Sequence, residues 1–451
     1  MAVGDTNLFF NRDTKVYLEQ GSVLWELPVL NGYSFSQATN SSNVTLSEMS
    51  DVNGRSRRGQ RVFNDSLAPA EWNFDIYARP TIVSSFHRAP EEALWNSLLG
   101  SRNFVVANST TGTGGTFTAA FTGTTITLTF TGANPSTFFS VGDAVNVSGL
   151  TATTNPPNGT FAVTAVTATT LTYVASAAPT GTITATSGIV KAGTAASFAT
   201  ALDFSPAGSN KSALATFNLY FVLGGNTAAS ANFSADEFTT IYRIQGCCVN
   251  EATMNFEVDG IATISWSGMG QKIEELANYD ASAALRIGLT ATNNMIRNRL
   301  TAARLVGVSP SQVNKTYSIT LTGGSITISN NMTFLTPESL GVVNTPLGHV
   351  TGGRSVSGSL TCYADELDNG SIELYEDLLL ATSAVTNRFE LDLFVGGQSQ
   401  APSVEFDMGQ CHLEVPSINI DDVIGFEVNF TALPNTISGT DELTRIRYVG
   451  V

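Results

Sequence analysis

Charge is scarce in this chain and cationic charge scarcer still. Only 13% of its 451 residues are Asp, Glu, Lys or Arg, and 22 basic side chains stand against 38 acidic ones for a formal net charge of −16. Such a balance excludes a protein whose main task is to grip nucleic-acid phosphates. Cysteine is equally sparse. Cys247, Cys248, Cys362 and Cys411 show no CxxC spacing, which removes a disulfide framework and a zinc ribbon and leaves free, buried thiols as the expectation. The three histidines, His87, His349 and His412, have no ligand-like neighbours. Cys411 and His412 are adjacent in a strand pattern, where neighbours point to opposite faces, so they are not expected to form a dyad. The nucleophile elbow GxSxG, the zincin HExxH, the P-loop and a helix-opening GxGxxG are all absent, and with them the common hydrolase, metalloprotease and nucleotide-binding signatures. No catalytic, metal or cofactor site is expected, and the chain reads as non-enzymatic. No apolar run approaches 18 residues, which excludes a membrane-spanning helix. The first residues reach Asp5 without a basic stretch and apolar run, so no secretory signal is expected and the chain reads as soluble, made in a cytoplasm.

What the chain does have is hydrophobic content, 42%, with abundant Gly, Thr, Ser and Asn, a composition that folds and favours β-structure over disorder. It also repeats itself. TFNLYFVLGG from Thr216 reappears as RFELDLFVGG from Arg388, each alternating and each ending in a glycine pair suited to a turn. CCVNEATMNFEVDGIATISW from Cys247 overlays CHLEVPSINIDDVIGFEVNF from Cys411 without a gap at an offset of 164, matching Met254 with Ile418 and Trp266 with Phe430. Upstream, AEWNFDIYARP and EEALWNSLLGS answer SGSLTCYADE and SIELYEDLLLATS, with Tyr77 facing Tyr363 and Trp95 facing Tyr375. Both copies read as a strand followed by a short helix. Leu94, Trp95, Leu98 and Leu99, like Leu374, Tyr375, Leu378 and Leu379, form one apolar stripe to lay across a sheet. Each half is expected to be a β-sandwich or barrel with one helix.

The repeat locates an insertion by subtraction. Leu98 and Phe217 lie far apart where Leu378 and Phe389 are close, which leaves about 108 extra residues in the first half. That stretch carries few charges, is rich in Thr, Gly and Ala, and reads as short strands between Gly, Pro and Asn turns. The expected division is a first module of residues 1–103 and 211–270, an inserted all-β domain of residues 104–210, a connector of residues 271–294 that starts like a helix, and a second module of residues 295–451. The segment VGDAVNVSGL from Val141, with NGTFAVTAV from Asn158 shortly after, resembles small β modules inserted into phage structural proteins.

One basic run stands out, NGRSRRGQR, with Arg55, Arg57, Arg58 and Arg61 inside a long polar stretch. A solvated hairpin tip, an intersubunit arm whose guanidiniums meet carboxylates on a neighbour, and a DNA contact are the alternatives, and the acidic chain favours the arm. The matching loop of the second half, long again and lying between two strands, contains Arg354. The acidic clusters Asp365/Glu366/Asp368 and Glu373/Glu376/Asp377 lack calcium-loop spacing and read as a solvated face.

The second half, from YSITLTGGSITISNNMTFLTPESLG through SGSLTCYAD and SIELYEDLLLA to RFELDLFVGG, resembles the major tail (tail tube) proteins of long-tailed bacteriophages. The first half resembles the same module with an insertion. The resemblance implies a mainly β fold of two tandem tail-tube-type modules, each with a short helix, plus a small inserted all-β domain decorating the outside. It implies a structural virion protein, made in the host cytoplasm, that polymerises into stacked rings and conducts DNA during ejection. Two modules per chain imply trimeric, pseudo-hexameric rings, with a hexamer as the alternative, and a long hairpin loop seating one ring on the next. Partners would be further copies of the chain, a tape-measure protein and tail terminator or tip proteins; DNA would pass without being bound, and no membrane would be involved. A tail-tip or baseplate component, or an adhesin whose Thr-rich insert stacks host glycans on Phe138, Phe139 and Tyr173, is the competing reading.

Overall fold

The computed structural model describes residues 11–20, 23–43, 53, 62–83, 86–99, 105–107, 116–137, 144–192, 201–204, 206, 214–224, 232–234, 239–280, 284–286, 294–308, 315–336, 344–380, 388–398, 400–420, 423–436, 439 and 441–451. The fold is mainly β, with two α-helices among the described residues. In chain order, its principal elements are β1 (Lys15–Gln20), β2 (Ser34–Asn43), β3 (Val62–Tyr77), α1 (Glu92–Leu99), β4 (Leu202–Phe204), β5 (Phe217–Leu223), β6 (Thr240–Glu257), β7 (Thr263–Gly270) and β8 (Lys272–Leu276). There follow β9 (Ala302–Gly307), β10 (Leu321–Ser329), β11 (Ser355–Tyr363), α2 (Ser371–Leu380), β12 (Phe389–Val395), β13 (Ser403–Leu413), β14 (Ser417–Asn419), β15 (Gly425–Ala432) and β16 (Arg445–Val449).

Both halves trace one antiparallel path. In the first, β1 pairs with β5, β5 with β6, β6 with β7, β7 with β3 and β3 with β2, while β8 lies along the start of β6. In the second, β9 pairs with β12, β12 with β13, β13 and β14 with β15, β15 with β11 and β11 with β10, while β16 lies along the start of β13. Even the bulge repeats. Phe217 sits opposite Cys247 and the register then shifts before Leu219, as Phe389 sits opposite Cys411 and the register shifts before Leu391. A bulge bends and twists its strand, so its recurrence gives both sheets the same local curvature.

The gapless overlay ends at the β6–β7 hairpin. Asn255 faces Thr263, whereas Asn419 faces Gly425, so the second turn is shorter, and Tyr77 and Tyr363 face those same two partners. In register, Trp266 is matched by Val428 and not by Phe430. Phe430 takes the place of Gly268, and the packing shows why. Trp72 lies opposite Gly268 in the first half; in the second, Gly358 replaces the tryptophan and Phe430 the glycine, so the large and small partners of one cross-strand pair have changed sides. A Cβ on Gly268 would meet the Trp72 ring at 2.3 Å, and one on Gly358 would meet the Ser325 carbonyl at 2.0 Å and the Phe430 ring at 2.7 Å. Core pairs conserve volume in this way because overpacking costs about 1–3 kcal/mol. Gly358→Ala is therefore expected to lower the unfolding free energy by about 1–3 kcal/mol, read as a lower denaturant midpoint, and an unchanged midpoint would show that the Ser325 carbonyl and the Phe430 ring can both give way.

Apolar residues from both halves form one core, in which Trp95 of α1 is central. Its ring meets Trp266 edge-on at 4.7 Å, and its Nε1–H donates to the Tyr448 hydroxyl at 2.6 Å. All eight residues of α1 are buried.

Within the expected insert, seven strands between Val105 and Ala192 pair with one another in a sheet of their own around a separate core that includes Leu128, Val147 and Leu171. The expected boundary at residue 210 does not match the pairing: β4 joins the C-terminal strand β16, with Leu202 opposite Tyr448. Asp203, counted by composition with the insert, belongs to the large sheet. The connector also differs from its expected helical start. Lys272–Leu276 is strand β8, because the edge of β6 is open there and pairing fills it, with Arg243 Nη2 meeting Glu274 Oε2 at 2.7 Å. Tyr173, offered above as a glycan-stacking residue, is buried, stacked on Phe161 and donating to the Pro157 carbonyl at 2.8 Å. Phe138 and Phe139 lie outside the described residues.

Candidate assembly surface

The two halves meet edge to edge. The C-terminal part of β6 runs antiparallel to β10, with Thr253 opposite Thr327, Met254 opposite Ile326 and Phe256 opposite Gly324. One sheet thereby continues from one half into the other, and its ladder satisfies the backbone groups of two strands that would otherwise be edges. Side chains extend the seam. The Thr253 and Thr327 hydroxyls lie 3.0 Å apart, Asn330 Nδ2 donates to the Leu98 carbonyl at 2.8 Å, and the Met332 N–H donates to Asn250 Oδ1 at 2.8 Å.

Arg354 belongs to this seam. Its Nη2 donates to the Leu99 carbonyl at 3.3 Å, its Nε to Asn330 Oδ1 at 3.3 Å, and its Nη1 lies 3.5 Å from Glu442 Oε1, with both side chains only 5% exposed. Burial pulls the guanidinium below its ordinary pKa while Glu442 opposes the fall. A side chain engaged in this way is no outward arm, which corrects the grouping of Arg354 with the basic loop. Arg55, Arg57, Arg58 and Arg61 lie outside the described residues, in the segment that joins β2 to β3. Those two strands continue outward as a hairpin whose far ends, Thr39–Asn43 and Val62–Asn64, are exposed.

A cysteine–histidine contact exists, though not the one adjacent in sequence. Cys411 is buried and His412 exposed. Instead Cys248 Sγ lies 3.2 Å from His349 Nδ1, across the seam. His349 Nε2 accepts the Leu214 N–H at 3.2 Å, so the proton of the neutral ring sits on Nδ1 and the sulfur is the acceptor. Cys248 is fully buried, and burial pushes its thiol up to about 12 while pulling the His349 imidazole down. A neutral thiol beside a neutral imidazole is a structural pin. The two lie 101 positions apart, and no spacing signal marks the pair.

Two charged features lie elsewhere. Asp365 Oδ1 accepts the Ser371 N–H at 3.1 Å and Glu373 Oε2 the Asn369 N–H at 2.7 Å, which holds the start of α2. Lys315 bridges Glu373 and Asp377 at 2.7 and 2.5 Å, while Glu366, Asp368 and Glu376 are exposed, so part of the acidic clusters supports the helix and part is a solvated face. Across β9, β12, β13 and β16, Arg304, Asp392, Asp407 and Arg445 stand in one row, and Arg447 forks onto Asp203 at 2.8 and 3.0 Å. Burial and the facing Asp407 push Asp392 up to about 6, and Arg304 opposes them. Along the row the order is cation, anion, anion, cation, so the two facing carboxylates repel each other and each has an arginine on its outer side.

Among the described residues β2 pairs only with β3, and the stretch 414–420 pairs only with β15, so each leaves one edge open. The second edge carries Val415, Ile418 and Ile420, all exposed, with Val423 and Ile424 exposed beside it. Alternate exposed apolar residues on an open strand edge invite another strand.

Residues 209–432, which include the seam, match the family model of the phage tail tube protein. Over 207 residues the chain is 36% identical to tail tube protein pb6 of Escherichia phage T5, a match that covers 44% of each protein. The chain therefore spans less than half the length of that relative. No helix among the described residues is long and apolar enough to cross a membrane.

Proposed function

We propose that this chain, which belongs to the phage tail tube protein family through residues 209–432, builds the wall of the tail tube as a structural, non-enzymatic virion protein. The observation that carries this is the β6–β10 seam, which joins two halves of one topology edge to edge. Repeating such a join closes a ring, and closure removes strand edges. Two modules per chain make the ring a trimer with pseudo-sixfold symmetry, and rings repeated head to tail make a filament through heterologous contacts. The net charge of −16 fits a conduit that DNA traverses without adhering. The sheet between Val105 and Ala192 is read as a decoration domain outside the wall, and the loop with Arg55, Arg57, Arg58 and Arg61 as the arm that seats one ring on the next.

Negative-stain electron microscopy across a concentration series, with native mass measurement of the smallest assembly, tests this. Trimeric rings and hollow tubes are expected, and a hexamer would refute the pseudo-symmetry. Excising residues 105–192 is expected to leave tubes of smaller outer diameter. Replacing the four arginines with Ser is expected to leave single rings; tubes of full length and yield would remove the arm from the assembly.

A further inference from the structure

We infer that successive copies are joined by the strand pairing that already joins the two halves of one chain: the edge 415–420 of one copy adds antiparallel to β2 of the next, with Ile418 opposite Phe35. This rests on the ring reading above and assigns its contacts.

The register follows from equivalences within the chain. Met254 and Ile418 occupy one position, since they face Ile264 and Phe426, which match in register. With Tyr77 matched to Tyr363, Asn73 matches Ser359 and Trp72 matches Gly358. Ser34 and Phe35 face Asn73 and Trp72, and Ser325 and Ile326 face Ser359 and Gly358, so β2 is the counterpart of β10. Inside the chain, Met254 pairs with Ile326, Thr253 with Thr327 and Phe256 with Gly324. Transposed to two copies, those pairs become Ile418 with Phe35, Ser417 with Ser36 and Ile420 with Tyr33.

Exposure supports the transposition. Met254 and Phe256, covered by the second half, are 1% and 2% exposed, whereas Ile418 and Ile420 at the same positions are 46% and 76% exposed. The helices agree. Leu99, beneath the Arg354 and Asn330 contacts, is 0% exposed, and its counterpart Leu379 is 44% exposed. What the first half buries against the second, the second leaves open, so the missing cover has the shape of another first half. The receiving edge is prepared: Phe35 stacks on Phe221 at 4.3 Å and Tyr33 lies 6.0 Å from the same ring, which leaves both half-buried.

The test uses the full chain carrying Ile418→Cys and Phe35→Cys, treated with a short thiol cross-linker under assembly conditions. The four native cysteines are buried, which keeps background reaction low. Denaturing gels are expected to show dimers and trimers, while Ile418→Cys with Thr39→Cys, off register, links at least tenfold less. Ser417→Cys with Ser36→Cys should link in the same pattern and serves if Phe35→Cys disturbs folding, since both serines are exposed. Tubes in which neither pair links chains would overturn this register and leave the ring reading standing. A chain that stays monomeric at every concentration, before any substitution, would overturn both.

Discussion

Arg354→Met is expected to lower the unfolding free energy by about 3–5 kcal/mol, the usual cost of breaking a buried ion pair from one side. Methionine fills much of the same volume but leaves Glu442 in a nearly closed site without its cation, and the Leu99 carbonyl at the end of α1 without its donor. That carbonyl belongs to the helix end where partial negative charge accumulates, so a cation is favoured there. Because Arg354 and Asn330 come from the second half and α1 from the first, the substitution also loosens the seam. Guanidinium denaturation measures the loss. The double variant Arg354→Met/Glu442→Met is expected to regain much of it, because removing both charges leaves neither stranded. A midpoint unchanged by Arg354→Met alone would mean that the ion pair contributes nothing to the join.

The repeat, the strand alternation and both short helices were legible because each rests on local periodicity, which the chain writes twice. The exchange of Trp72/Gly268 for Gly358/Phe430 was written there as well, but a gapless overlay hid it; only cross-strand register reveals the shorter second turn. Strand β4 was hidden for another reason. Three residues in Thr- and Ala-rich surroundings have no period, and their place depends on pairing with β16 far along the chain. β8 looked like the start of a helix because Lys, Glu and Leu favour helices locally, and the open edge of β6 overrode that preference. Arg354 and the Cys248–His349 contact follow the same rule: each joins residues whose proximity arises only from the tertiary join, so the matching of loops between the halves placed Arg354 with the arginines of the basic run. The open edges were half legible. Matching Met254 with Ile418 showed like positions, but only burial shows that one is covered and the other is not.

Stability is expected to fall as the pH rises through neutrality, and Glu91 is the group responsible. It is fully buried just before α1, and burial, its largest influence, raises its pKa to about 7; its own backbone, the Tyr448 hydroxyl and the Arg79 charge pull the other way, and Glu92 adds to the rise. Arg79 is itself held below its ordinary range by burial, with Glu91 opposing. The sign follows from linkage. An acid whose pKa is raised on folding binds its proton more tightly in the folded state, so its contribution is fully present below the unfolded value near 4.5 and is lost as pH rises through about 7. The full difference is on the order of 3 kcal/mol, reached above neutrality. Glu91→Gln keeps the size of the side chain and removes the titration. Denaturation of both proteins at pH 5 and pH 8.5 isolates the group from every other carboxylate. The variant should match the wild type or fall slightly below it at pH 5 and exceed it at pH 8.5. Equal pH dependence in the two proteins would mean that Glu91 is held as a carboxylate by Arg79, and that α1 sits over a buried ion pair instead of a buried acid.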